Sequence, residues 1–147
     1  MRPISDRPLS PLNIALLIGV FGAAGALSRH GLSTAAGHFL GTEFPWGTAL
    51  VNILGCFLFG LIWTLSEQRG LIPLSQGILV LTGFVGSFTT FSTFTFETDV
   101  LMQGGQWGKL ALHILGQNLL GFASLELGFR AGRKKKPPDP EQTRPGA

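Results

Sequence analysis

The sequence predicts an all-α membrane protein of four transmembrane helices, with the third helix broken mid-membrane. Three observations carry that reading. Only 13% of the 147 residues are charged, the mean hydropathy is +0.35, and most of the charge lies outside four long apolar runs. Each run approaches the roughly 20 mostly apolar residues that a spanning helix needs. The stretch over residues 83–97, GFVGSFTTFSTFTFE, sits in the third run yet does not read as one clean helix. A soluble helical bundle would need polar faces, which these runs largely lack.

The first run covers residues 12–27. Arg2 and Arg7 precede it and small residues close it, as in a secretory signal. Gly19, Gly22 and Ala26 form a small-residue stripe suited to helix packing, which favours a retained span. The second run covers residues 46–65, the third 74–96 and the fourth 110–129, with loops expected over 31–45, 66–73 and 98–109. Loops this short make successive spans antiparallel neighbours. Trp46, Trp63 and Trp107 fall near predicted span ends, where indoles prefer the interface. The chain thus divides into a tail over 1–11, a four-span membrane domain over 12–130 and a basic, Pro-rich tail over 131–147, both tails expected to be disordered.

Four spans place both termini on one side of the membrane. That side holds nine of the 11 Lys and Arg residues, leaving Arg29 and Lys109 opposite. The positive-inside rule puts the termini in the cytoplasm. Without the residues from Arg133 onward, the ratio is only four to two. The basic cluster from Arg130 to Lys136 fits anionic headgroups better than nucleic acid. Cys56 is the only cysteine, so no intrachain disulfide forms, and a thiolate metal site is not indicated. No nucleophile–base–acid set, Gly-rich phosphate loop or metal-spaced His/Cys cluster points to an enzyme.

The polar residues inside the spans are few and patterned. Thr48, Asn52, Gly55 and Phe59 share one face of the second helix. A buried Asn in hydrocarbon serves as interhelical glue or as a pore-lining donor, and both readings stand. Gln117, Gly121, Ser124 and Gly128 make a similar stripe in the fourth span, with Asn118 beside it; it reads as polar track or as packing surface. Glu126 and Arg130 are spaced for an i,i+4 ion pair, and His113 reads as interfacial. Arg29 closes the first run, either snorkelling to headgroups or attracting anions to a vestibule.

The third span carries the richest chemistry. Gly83 and Gly86 weaken its helix, and Ser87, Thr89, Thr90, Ser92, Thr93 and Thr95 bring hydroxyls into it. A break over residues 86–90 would free carbonyl oxygens, which lipid cannot satisfy and a hard cation such as Na⁺ can. Phe91 and Phe94 share a face. Aromatic rings have a positive edge, against which an anion can rest; a phenylalanine stripe also serves for plain packing.

GTALVNILGCFLFG over residues 47–60 and GFVGSFTTFSTFTFE over 83–97 resemble the Fluc (CrcB) fluoride channels, and GVFGAAGALSRH over 19–30 resembles that family's first span. The resemblance covers the first three spans in order. It implies a homodimer of antiparallel, dual-topology subunits in the bacterial inner (plasma) membrane, passing fluoride passively out of the cytoplasm through two narrow pores. It implies Asn52 as a pore-lining donor and Phe91 and Phe94 as the rings whose edges face fluoride, with Thr90 and Ser92 as hydroxyl contacts. It further implies backbone carbonyls of Gly86 and Thr89 on a central structural Na⁺, and Arg29 near the vestibule. Glu97 matches a family carboxylate of open role. The basic tail departs from the charge balance that dual insertion needs, so an oppositely oriented partner chain stands beside the homodimer as an alternative.

Two other classes compete. A small proton-coupled drug or cation exporter has this size, but it depends on a first-span carboxylate, and residues 12–27 hold none. A non-transporting assembly subunit would use the glycine stripes for packing alone.

Overall fold

A computed structural model describes residues 10–133. The tails expected over 1–11 and 131–147 lie outside those residues, apart from 10–11 and 131–133. The architecture is all helical: α1 Pro11–Leu40, α2 Trp46–Gln68, α3 over residues 74–88, α4 Phe91–Gln103 and α5 Trp107–Gly132. Helices α3 and α4 together form the third span, Leu74–Gln103, so that four segments are long and apolar enough to cross a membrane. The third is interrupted, as expected: Thr89 (φ −83°, ψ 161°) and Thr90 (φ −150°, ψ 119°) are extended.

The helices are longer than the apolar runs. The Ser10 hydroxyl caps α1 by accepting from the Asn13 N–H at 3.2 Å, with Pro11 at the first helical position. The helix then continues well past Arg29, and the first loop shrinks from the expected 31–45 to 41–45. Residues 28–40 are polar but contain no proline, and Ala35 and Ala36 favour helix; polarity alone does not end one. Gly41 does, at φ +82°. Likewise α4 runs through residues expected to be loop, until Gly105 (φ +64°) turns the chain, and the third loop is 104–106. The second loop is 69–73.

Close packing rests on glycines. Gly60 lies against the Leu125 carbonyl and Gly128 against the Phe57 carbonyl, which joins α2 and α5 along their length. A Cβ at Gly83 would stand 2.7 Å from Phe21 Cβ, and Gly25 lies against the Phe84 carbonyl, so α1 seats on α3. Small residues at helix crossings are what membrane interfaces use, because lipid supplies no hydrophobic drive between helices. The stripe expected on α1 is shifted. A Cβ at Gly22 would stand 3.3 Å from Ser87 Oγ, but Gly19 faces open space, and Gly25 carries the tightest contact. Outward-facing Leu16, Val20, Leu27, Leu119 and Phe122 are all more than half exposed, as suits a surface dissolved in acyl chains.

Candidate ion site at the helix break

The break is held open by a side chain. Across it, Asn52 of α2 offers its amide as one more peptide group. The Thr90 N–H donates to Asn52 Oδ1 at 2.8 Å, and Asn52 Nδ2 donates to the Thr90 carbonyl at 3.1 Å. Gly55, one turn along the same face, lets the Thr89 methyl reach the α2 backbone. The Thr90 hydroxyl caps α4, accepting from the Thr93 N–H at 3.2 Å and donating to Thr93 Oγ1 at 3.0 Å. Ser92 Oγ lies 3.3 Å from that hydroxyl.

These bonds divert two donors that a continuous helix would use. In a continuous helix the Thr90 N–H would reach the Gly86 carbonyl and the Thr93 N–H the Thr89 carbonyl. Here both donors are diverted, one to Asn52 Oδ1 and one to Thr90 Oγ1. The carbonyls of Gly86 and Thr89 are therefore two of those over residues 86–89 that lose their helical partners at the break.

An open cavity of about 410 Å³ lies against the break. Asn52, Thr89, Thr90, Phe91, Phe94 and Gln117 line it, with Asn118 and Cys56. The Phe91 and Phe94 ring centroids are 5.9 Å apart, inclined at 32°. Phe94 is half-buried and Phe91 exposed. Of the residues expected in the site, Asn52, Thr89, Thr90, Phe91 and Phe94 thus gather at one cavity. Ser92 touches it only through Thr90 Oγ1, Gly86 sits one turn before the break, and Arg29 is not among the lining residues. Arg29 Nε is buried without a hydrogen-bond partner among the described residues.

A polar chain leads away from Asn52. Its second N–H donates to Gln117 Oε1 at 3.0 Å, and Gln117 Nε2 donates to His113 Nδ1 at 2.9 Å. His113 Nε2 then faces the Phe94 carbonyl at 3.3 Å and Glu97 Oε2 at 3.8 Å. The Thr48 hydroxyl donates to the other carboxylate oxygen, Oε1, at 2.8 Å. His113 is not interfacial: it is fully buried, because α5 begins at Trp107 and carries it almost two turns inward. Its ring stacks on Phe94 at 4.8 Å, and Phe44 meets it edge-on at 5.9 Å. The fourth-span stripe divides between both roles expected of it. Gln117 joins the polar chain and Ser124 donates to the Ile53 carbonyl at 2.8 Å, whereas Gly128 packs. Arg130 Nε donates to Glu126 Oε1 at 2.9 Å, the surface pair expected from spacing.

Four apolar spans, the third of them broken and with polar groups gathered at the break, define a multi-pass membrane protein with a candidate ion site. Residues 16–129 match the family described as CrcB-like protein, Camphor Resistance (CrcB). A protein of Nitrosococcus oceani is 51% identical over 112 residues, covering 76% of this chain and 90% of its own length. One from Solidesulfovibrio magneticus is 48% identical over 116 residues (79% and 93%), and one from Magnetococcus marinus 46% over 116 (79% and 94%). Each of the three is named a fluoride-specific ion channel FluC. The chain belongs to the CrcB-like family and is a multi-pass protein of the bacterial plasma membrane.

Proposed function

We propose that the protein is a fluoride-selective channel that lets the ion leave the cytoplasm passively. The observation that carries the reading is the Asn52 amide set across the helix break beside two phenylalanines in one cavity. Fluoride is small and strongly hydrated, so a path for it must replace water with N–H and O–H donors. The Asn52 amide and the hydroxyls of Thr90 and Ser92 are donors of that kind, and the edges of Phe91 and Phe94 add a weaker attraction. A larger halide gains less from each donor and fits a narrow path worse. The names of the relatives point the same way. Arg29 would draw anions toward the entrance. The exporter alternative needs a first-span carboxylate, and α1 carries neither Asp nor Glu.

The working unit in this reading is a homodimer of antiparallel subunits. One subunit leaves its cavity open on a side, and Phe91 stands 76% exposed there. A second, inverted copy would close that side and bring two broken helices together. The Gly86 and Thr89 carbonyls fit a Na⁺ at that centre, because their helical donors are engaged elsewhere and a hard cation accepts such oxygens. The ion would supply fixed positive charge and satisfy carbonyls that cost several kcal/mol each in lipid. Purified protein in liposomes should release fluoride, read with a fluoride electrode, and retain chloride. Equal release of both ions would refute the selectivity.

A further inference from the structure

We infer that anion binding at Asn52 is linked to a proton on His113 through a rotation of the Gln117 amide, which makes Gln117 a positioning residue. The inference rests on the fluoride reading above.

The polar chain has only one consistent direction, and the backbone sets it. The Thr90 N–H must meet an acceptor and the Thr90 carbonyl a donor, so Asn52 can present its amide only one way round. The remaining Asn52 N–H faces Gln117, which must answer with Oε1. Gln117 Nε2 therefore points at His113 Nδ1, which must accept. His113 is then neutral with its hydrogen on Nε2, where the Phe94 carbonyl takes it. In this arrangement both Asn52 N–H groups are engaged within the protein, and neither is free for an anion.

A proton on Nδ1 reverses the chain. The Nδ1–H needs an acceptor, and the adjacent one is Gln117 Oε1, reached by turning that amide over. Gln117 Nε2 then faces Asn52 Nδ2, and two donors converge on the cavity wall with no acceptor between them. An anion satisfies both. The charged ring also finds a partner: Glu97 Oε2 is buried, makes no hydrogen bond among the described residues and lies 3.8 Å from Nε2. On the adjoining segments, Glu43 precedes Phe44 in the first loop and Lys109 lies four residues before His113 on α5, and these two pair with each other at 3.3 Å. From α2, the side chains in this chain are the neutral Thr48 and Asn52. Because linkage is reciprocal, a bound anion must also favour the proton.

The test uses full-length protein with ¹⁵N-labelled histidine in detergent micelles, where the ring shifts report which nitrogen carries hydrogen. The chain has three histidines, and His30 and His38 serve as internal references. Without fluoride, His113 should be neutral with hydrogen on Nε2. Sodium fluoride at constant pH should raise its protonated fraction about fivefold, within the usual range for coupled sites, and sodium chloride should leave it unchanged. Gln117→Leu should abolish the response. Gln117→Glu offers only acceptors and should place hydrogen on Nδ1 even without fluoride. Hydrogen on Nδ1 in the unmodified protein without fluoride overturns the inference, with no variant needed. So does fluoride flux through liposomes with an unresponsive His113, which leaves the channel reading standing. Absence of both flux and response sinks the two together.

Discussion

Replacing Asn52 by leucine tests the brace at the break most directly. Leucine keeps the branched shape and the number of side-chain heavy atoms and removes every polar contact, so the Thr90 N–H and carbonyl both lose partners at 2.8 and 3.1 Å. Leaving a buried polar group unmet costs about 1–3 kcal/mol. The two groups together put roughly 2–6 kcal/mol against the broken conformation. Part of that is recovered if the chain straightens, because the Thr90 N–H can then return to the Gly86 carbonyl. Straightening, however, reclaims the carbonyl assigned to Na⁺ and carries Phe91 and Phe94 out of register with the cavity. A residual penalty of even about 2 kcal/mol at the conducting conformation corresponds to roughly a 30-fold loss of flux. The assay is fluoride release from liposomes per unit of correctly folded protein, with a thermal melt followed by size-exclusion fluorescence. Asn52→Leu with flux within twofold of the parent and an unchanged melting midpoint would refute the reasoning.

Other outcomes follow from the same geometry. Gly55→Ala puts a methyl where the Thr89 methyl lies; overpacking of this kind costs about 1–3 kcal/mol, and both melting midpoint and flux should fall. Phe94→Ile should lower flux more than Phe91→Ile in the same electrode assay, since Phe94 also seats the buried His113 ring; equal and unchanged flux in both would count against a role for the ring edges. Exchanging all Na⁺ for a large organic cation should lower the melting midpoint and dissociate dimers on size-exclusion chromatography, and indifference to the exchange would remove Na⁺ from the proposal.

Much of the fold was legible because membrane solvation is so restrictive. The four apolar runs, the weak third helix and the residues near its break could all be read from residue type and spacing. Helix ends could not. Residues 31–40 and 98–103 read as loop, yet what ends a helix is a turn at Gly41 or Gly105, not the onset of polarity. The site divides similarly. Asn52, Phe91 and Phe94 announce themselves as patterned exceptions inside apolar runs. His113 does not, since a lone histidine near a predicted span end looks interfacial, and its burial depends on a carbonyl 19 residues away at Phe94. The position of the break is also non-local: several glycines and hydroxyls over 83–95 could have yielded, and Asn52, 38 residues earlier, selects Thr90. A signal for Gln117 was present, as a long amide on a stripe of small residues, but its partners were not.

The interruption at Thr89–Thr90 is held from two sides, by the Thr90 hydroxyl that caps the following helix and by Asn52 of α2, and no proline occurs between residues 74 and 103. Without a proline, every residue of the third span keeps the backbone N–H that an unbroken helix would use. Parting exposes peptide groups that lipid cannot receive, and the second span lies alongside to receive them. The cavity beside the break is walled by three spans at once, so it takes shape only where they are packed together.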